Sequence, residues 1–182
     1  LKYNQISIFP TKPIFSSGKV YHIYNRGVDR QCICRQPSDF AHLLGILLKN
    51  AQETGVRILS WILLPNHFHL LIEQLAATPI GFLMQRVFTS YTRYFNRKYG
   101  RQGHLFEANF QSKEIDTEEY MTAVTAYIKN NAIKHDLIGE GEIWPFSSQS
   151  ILPEDFQGIV LHDNDDELHV MHSKYHRKSN AA

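Results

Sequence analysis

Two histidines separated by one residue, His67 and His69, are the first residues of this sequence whose types and spacing suggest chemistry. On a strand, residues two apart point to the same face, so both imidazoles would leave one side of a sheet about 7 Å apart along the chain. Phe68 would then face the opposite side. Two imidazoles on one face bind a divalent metal when a third donor joins them. Most isolated His-x-His patterns are structural, so the assignment depends on other residues.

Tyr127 and Asn131 form a second set, because positions four apart share a helix face. An amide oxygen is a suitable third ligand, and a phenolate is a competent nucleophile. Attack on phosphorus requires loss of the phenol proton and an offset for the phosphate charge, and a metal meets the second need. A half-buried core tyrosine beside a solvated asparagine is the alternative. Tyr120, one heptad earlier, is a rival nucleophile that lacks an amide four residues after it.

A basic segment occupies the middle of the chain, with six Lys or Arg residues and one acidic residue between positions 84 and 113. Spacings of seven and four place three arginines on one helical stripe. Guanidinium groups beside aromatic rings suit single-stranded nucleic acid, since charge follows the backbone and rings stack on bases. An ordinary solvated helix face would show the same pattern. The candidate nucleic-acid-binding residues are the stripe and its two flanking side chains: Arg86, Arg93, Tyr94, Arg97 and Lys98.

The elements that must position these residues follow from hydrophobic periodicity and turn signals. Strands are predicted at 20–25, 56–64 and 67–73, with a fourth strand or extended loop within 103–115. Helices are predicted from a cap at Ser38 or Asp39 to Gly55, from 78–79 to just before Gly100, and from a cap at Asp116 or Thr117 to about Asn131. The order β-α-β-β-α-β-α predicts an α+β, ferredoxin-like or RRM-like antiparallel sheet with helices mainly on one face.

Composition limits the class of protein. The chain has 182 residues, of which 43% are hydrophobic and 12% aromatic, which suits one packed domain and excludes wholesale disorder. Cys32 and Cys34 are too few and too close for a disulfide scaffold, so a reducing compartment is favoured. No apolar run approaches the roughly 18 residues of a membrane span. We therefore expect a cytoplasmic protein without membrane association.

Five blocks in a fixed order resemble one family. They are YHIYNRG at 21–27, LPNHFHLL at 64–71 with Glu73, YTRYFN at 91–96, GHLFE at 103–107 and YIKNN at 127–131. With them the sequence resembles the REP-associated tyrosine transposases, a branch of the single-tyrosine HUH transposases. The resemblance implies a catalytic domain at 19–150, an irregular lead-in at 1–18 and a C-terminal extension at 151–182 that is first acidic and then rich in His and Lys.

The resemblance also implies a mechanism. In such enzymes a tyrosine attacks a phosphodiester of single-stranded DNA, forms a 5′-phosphotyrosine and frees a 3′-OH, and the reverse attack rejoins DNA. By position, Tyr127 would be the nucleophile, and His67, His69 and Asn131 would bind Mg²⁺ or Mn²⁺. The family helix commonly continues with an Asn-Pro pair, whereas Asn131 is followed here by Ala132. The helix is therefore free to extend through Ile133 and Lys134.

The partners implied by the resemblance are single-stranded DNA and repetitive DNA hairpins. Asn25, Arg26 and Gly27, at the end of the first strand, could approach DNA through the backbone and the Arg26 side chain, although a plain turn uses the same residues. A monomer is favoured and a homodimer stays open. The tail could restrain the active site through its acidic residues, or it could bind metal through His169, His172 and His176. Disorder of the tail is the alternative.

Two alternative functions remain at this point. One is a hairpin-binding regulator that keeps the fold without catalysis. The other is an RNA-binding module, because the same order of strands and helices describes an RNA-recognition sheet. The strand that would carry stacking aromatics in that module instead presents His67 and His69.

Overall fold

A computed structural model of the chain describes residues 15–150. The elements are β1 (Val20–Arg26), a single 3₁₀ turn (Val28–Arg30), α1 (Pro37–Thr54), β2 (Val56–Leu63), β3 (His67–Gln74), α2 (Ile80–Tyr99), β4 (Gln111–Ile115), α3 (Glu118–Lys129) and α4 (Asn131–Lys134). These elements follow the predicted order β-α-β-β-α-β-α, with the 3₁₀ turn and the short α4 in addition. The predicted tail and most of the lead-in, including the tail histidines, lie outside the described residues.

The four strands form one sheet in the order β2-β3-β1-β4, and every neighbouring pair is antiparallel. This α+β arrangement agrees with the predicted fold class. Helices α1 and α2 pack together on one face, where Phe68 contacts Phe88 of α2 and Phe106. Helix α3 contacts β2 and β3 on the opposite face, where the neighbours of Phe68 along β3 point.

The beginning of α1 differs from both predicted caps. The helix starts at Pro37, with Gln36 as the capping residue. Asp39 reaches back from the third helical position, and its Oδ2 accepts hydrogen bonds from the backbone N–H groups of Arg35 (2.8 Å) and Gln36 (3.1 Å). The predicted cap position at Ser38 or Asp39 is therefore wrong, because a carboxylate at this position caps from inside the first turn. The helix ends, as predicted, before Gly55, whose positive φ of 66° favours glycine.

Only the last part of the predicted 103–115 element is a strand. Residues 103–110 form a loop that docks against the end of β1: Val28 N–H donates to Leu105 O (3.0 Å), and Glu107 N–H donates to Arg26 O (3.0 Å). The loop thus brings the fourth strand to the edge of the sheet beside β1. At the other edge, residues 146–148 run beside β2, where Leu63 N–H donates to Phe146 O (2.9 Å).

The helix that carries Tyr127 does not run without a break to Asn131. Thr117 caps α3, as predicted, by accepting a hydrogen bond from the backbone N–H of Tyr120 (3.1 Å). The helix ends at Lys129, and Asn130 lies between it and α4. Without a proline after Asn131 the chain does turn helically through Lys134, but as a separate short helix.

None of the helices between residues 15 and 150 is long and apolar enough to cross a membrane.

Candidate active site

The pairing of β1 with β3 gathers polar residues on the sheet face that α3 covers. Arg26 lies opposite His67, and Tyr24 lies opposite His69. Residues directly opposite each other in an antiparallel pair share a face, and so do residues two apart in one strand. His22 therefore joins the same face. The site is built on rigid strands of the sheet, with α3 and α4 supplying its remaining side chains.

His67 is held by asparagines at both of its ring nitrogens. Its Nδ1 lies 2.7 Å from Oδ1 of Asn66, and its Nε2 lies 3.0 Å from Oδ1 of Asn131. Burial lowers the pKa of His67 below its ordinary value, which favours the neutral ring. A neutral ring that donates from Nδ1 to Asn66 has a lone pair on Nε2. Two acceptors, His67 Nε2 and Asn131 Oδ1, then face each other.

These two facing acceptors fit a cation. Asn131 is fully buried, and its Nδ2 has no hydrogen-bond partner among residues 15–150. A cation between Nε2 and Oδ1 would relieve the conflict, as would rotation of the amide by half a turn. Within these residues no group of three or more His, Cys, Asp or Glu side chains has metal-binding geometry. A metal here would therefore need the amide oxygen of Asn131 besides the two imidazoles, a donor set that suits divalent ions.

His69 contacts a second histidine that sequence reasoning did not include in the site. Its Nδ1 lies 3.0 Å from Nε2 of His22, and both rings are buried. Burial, and secondarily the charge of Lys113, lowers the pKa of His22 to about 4. Burial, and secondarily His22, lowers the pKa of His69 to about 3. Both imidazoles are thus neutral near pH 7, and one donates a proton to the other.

Tyr127 stands over His69, with 5.2 Å between the ring centroids, and it is 39% exposed. The ammonium of Lys134 lies 5.1 Å from the centroid of the Tyr127 ring. The phenol is therefore open to a substrate and lies next to a positive charge. The rival nucleophile Tyr120 packs against the edge of the core instead, with Lys113 Nζ 4.4 Å from its ring centroid.

Asn25, Arg26 and Gly27 hold the loop that precedes β4. The buried Asn25 donates from Nδ2 to the carbonyl oxygen of Glu107 (3.1 Å), and Arg26 forms an ion pair with the Glu107 carboxylate (2.6 Å). A Cβ on Gly27 would lie 2.2 Å from the carbonyl oxygen of Gln31, so this close turn requires glycine. Arg26 is half exposed on the face of the site, whereas Asn25 and Gly27 are buried.

The basic stripe on α2 lies on the other side of the sheet from the histidines. Arg93 and Arg97 are exposed, and Arg86 pairs with Glu53 of α1. Arg93 also lines a groove of about 1190 Å³ between α2 and the loop before β4. The structure does not bring this predicted DNA-binding set together with the predicted metal ligands.

Tyr94 and Lys98 both contact a buried carboxylate, although Lys98 is itself exposed like Arg93 and Arg97. Tyr94 donates to Oδ1 of Asp39 (3.1 Å), and Lys98 Nζ donates to the same oxygen (2.8 Å). The Tyr94 ring is also stacked on His42, with 3.8 Å between centroids. Protein partners thus hold both side chains at the start of α1.

Sequence reasoning missed three residues around the site: His22, Lys134 and His135. The ring of His135 lies 4.8 Å from that of His67, centroid to centroid. His22 could have been suspected from its position two residues before Tyr24 on a predicted strand, but only the pairing of β1 with β3 places it beside His69. Lys134 and His135 follow the break at Asn130, where helical spacing no longer predicts position.

Comparison with known proteins identifies relatives of this arrangement. Residues 16–131 match the model of the family described as transposase IS200 like. A solved structure of a REP-associated tyrosine transposase bound to a REP hairpin superposes with a TM-score of 0.67 at 15% identity, covering 78% of this chain and 82% of that one. A second similar structure, a putative transposase from Deinococcus radiodurans, has a TM-score of 0.45 at 19% identity and covers 66% and 97%. Comparison with curated proteins gives no significant match.

Proposed function

This chain belongs to the family of IS200-like transposases, and on that basis we propose that it cuts and rejoins single-stranded DNA through a covalent link to Tyr127. One observation carries the proposal. The exposed phenol of Tyr127 lies over His69, on the sheet face where His67 and Asn131 form an acceptor pair that suits a cation. The candidate nucleophile and the residues that would hold a cation thus lie on one face of the sheet.

In the cleavage step, the phenolic oxygen of Tyr127 bonds to phosphorus and the bond from phosphorus to the 3′ oxygen breaks. The phenol loses its proton and the departing 3′ oxygen gains one, which leaves a 5′-phosphotyrosine and a 3′-OH. Attack by a 3′-OH on the phosphotyrosine runs the same exchange backwards and rejoins DNA. One phosphodiester replaces another in each direction, so the chemistry needs no external energy source.

The residues around the nucleophile divide the remaining work. His67, His69 and Asn131 would hold Mg²⁺ or Mn²⁺, and the ion would draw charge from the scissile phosphate. Lys134 places a positive charge beside the Tyr127 ring, where it would attract the scissile phosphate. Strands β1 and β3 keep the imidazoles fixed while the DNA exchanges.

A DNA hairpin beside the cleaved strand is the proposed recognition element. The structurally similar REP-associated transposase was solved with a REP hairpin. In this chain Arg93 and Arg97 offer exposed positive charge on α2, and Arg26 offers it on the face of the site. A hairpin on α2 and a single strand at the histidines would occupy opposite faces of one sheet.

The test is a covalent-adduct assay with labelled single-stranded DNA carrying candidate hairpins, in the presence of Mn²⁺ or Mg²⁺. Wild type is expected to form a denaturant-resistant protein–DNA species that is lost on metal removal, in Tyr127→Phe and in His67→Ala. Tyr120→Phe is the matched control and should retain the adduct. An adduct that persists in Tyr127→Phe contradicts the assigned nucleophile.

Other outcomes point to the alternative functions. Hairpin binding without an adduct under any condition would indicate a regulator that keeps the fold without catalysis. Cleavage that requires a ribose 2′-OH would indicate an RNA-directed protein instead.

A further inference from the structure

The contact between His22 and His69 is the basis for a further inference. The two rings lie in neighbouring strands and their closest nitrogens, His22 Nε2 and His69 Nδ1, are 3.0 Å apart. Only 8% of His22 and 6% of His69 is exposed. A neutral pair at this distance shares one proton, so the hydrogen bond has just two forms.

The two forms have different consequences for the site. If His22 donates, His69 carries its own proton on Nε2, and that nitrogen cannot bind a cation. If His69 donates from Nδ1, its Nε2 keeps a lone pair. The shorter contact of His67, 2.7 Å from Nδ1 to Oδ1 of Asn66, favours this second form for His67 too, with its Nε2 facing Asn131.

We propose that His22 is a positioning residue: its Nε2 accepts the Nδ1–H of His69 and so keeps Nε2 of His69 available for a divalent cation. The role rests on the proposed function, because it matters to catalysis only when His69 binds a metal. His22 fixes both the tautomer and the rotation of the His69 ring, as groups behind metal-bound histidines commonly do. Asn66 has the same role for His67. Each candidate ligand thus has an acceptor at its Nδ1: His22 for His69 and Asn66 for His67.

Two substitutions of nearly equal size separate positioning from packing. His22→Gln retains an oxygen that can accept the Nδ1–H of His69, whereas His22→Leu fills the space without an acceptor. His104→Ala removes an exposed histidine from the loop before β4 and serves as the control. Thermal unfolding followed by circular dichroism identifies any variant that has lost the fold.

The first readout is the position of the His69 proton in the metal-free protein, measured by two-bond ¹⁵N–¹H correlation. Wild type and His22→Gln should carry it on Nδ1, and His22→Leu should shift toward Nε2, which free imidazole prefers. A wild-type proton on Nε2 overturns the proposal. The wild-type measurement by itself needs neither a variant nor a bound metal, so its result is valid even if the proposed metal chemistry is wrong.

The second readout is Mn²⁺ affinity, measured by titration calorimetry without DNA. We expect His22→Leu to bind Mn²⁺ about 10–100-fold more weakly than wild type, with most of the loss recovered in His22→Gln and none seen in His104→Ala. Equal affinity in wild type and His22→Leu overturns the role of His22 and leaves the proposed function standing. No Mn²⁺ binding by wild type contradicts the metal site itself, and the proton position then decides whether His22 orients His69.

Discussion

Asp39 at the start of α1 and Asn131 at the start of α4 are equally buried but have opposite surroundings. Neither is exposed to solvent. Asp39 accepts hydrogen bonds from five donors, which are the backbone N–H groups of Arg35 and Gln36 and the side chains of Tyr94, Lys98 and Tyr99. Among residues 15–150 the Asn131 side chain has one polar contact, from its Oδ1 to His67, and its Nδ2 has no hydrogen-bond partner.

The difference distinguishes a residue that stabilises the fold, Asp39, from a candidate functional residue, Asn131. A buried carboxylate with every lone pair used is costly to disturb and rigidifies the joint between α1 and α2. A buried amide that is half satisfied costs stability, and such groups in native proteins commonly mark places where a ligand completes the set. We therefore expect substitutions at Asp39 to act on folding, and substitutions around Asn131 to act on binding and chemistry.

Asp39→Ala should have the largest effect on stability. It leaves the ammonium of Lys98 and several buried donors without their acceptor, and removal of one partner of a buried charge pair typically costs about 3–5 kcal/mol. Urea denaturation of the metal-free protein would measure the loss. Glu140→Ala, at an exposed position, is the control. A change below about 1 kcal/mol would show that the donors around Asp39 find other partners.

Lowering the pH should lower the free energy of unfolding through the buried pair His22 and His69. The pKa values of His22 and His69 are lowered to about 4 and about 3, from an unfolded value near 6.5. Between pH 6.5 and 5 the unfolded chain binds protons at these two residues and the folded chain does not, so stability falls as pH falls.

The expected loss is about 2 kcal/mol for each histidine over that interval, since one pKa unit corresponds to about 1.4 kcal/mol. Urea denaturation at several pH values in a chelator would measure the slope. His22→Gln should lose about half of this dependence. A stability that is flat from pH 6.5 to 5 would contradict the neutral pair.

Lys98→Met and Arg97→Met should differ although the residues are neighbours. Lys98→Met removes a donor to buried Asp39 and should cost about 1–3 kcal/mol. Arg97→Met changes an exposed position and should cost less than about 0.5 kcal/mol. Hairpin affinity would also be measured at several salt concentrations. Arg97→Met should lower the slope of log affinity against log salt concentration by the amount that about one phosphate contact contributes. An equal loss of hairpin affinity in a stable Lys98→Met would support the prediction that Lys98 also binds DNA.

Asn131→Leu should change stability little for a fully buried position. Leucine has nearly the same shape, and it removes both the unpartnered amide and the facing acceptor, so we expect a change within about 1 kcal/mol. Loss of a donor should weaken Mn²⁺ binding by at least about 10-fold. Calorimetry and urea denaturation of the same sample would show both effects. A strongly destabilised Asn131→Leu that still binds Mn²⁺ would reverse the contrast with Asp39.

Sequence periodicity predicts most of the fold because the elements are strongly amphipathic and bounded by clear signals. Gly55 and Gly100 end helices where predicted, and Thr117 caps α3. Periodicity also predicts that Phe68 and the flanking histidines point to opposite faces. These conclusions use local geometry alone, which a single strand or helix determines.

The rest depends on long-range pairing that a single sequence does not contain. His22 and His69 are 47 residues apart and meet only through the register of β1 with β3. Tyr94 and Lys98 fit a DNA-binding stripe by spacing, yet their side chains also bind Asp39, which lies 55 and 59 residues earlier. The break at Asn130 also escapes helical periodicity, because neither neighbour is a proline or glycine.

The two edges of the sheet have a consequence for the protein in concentrated solution. Exposed strand edges are templates for intermolecular pairing and aggregation. Here residues 146–148 cover part of β2, and β4 is only five residues long with Lys113 and Glu114 in it. A short, charged edge and a covered edge both oppose edge-to-edge pairing between the sheets of two molecules.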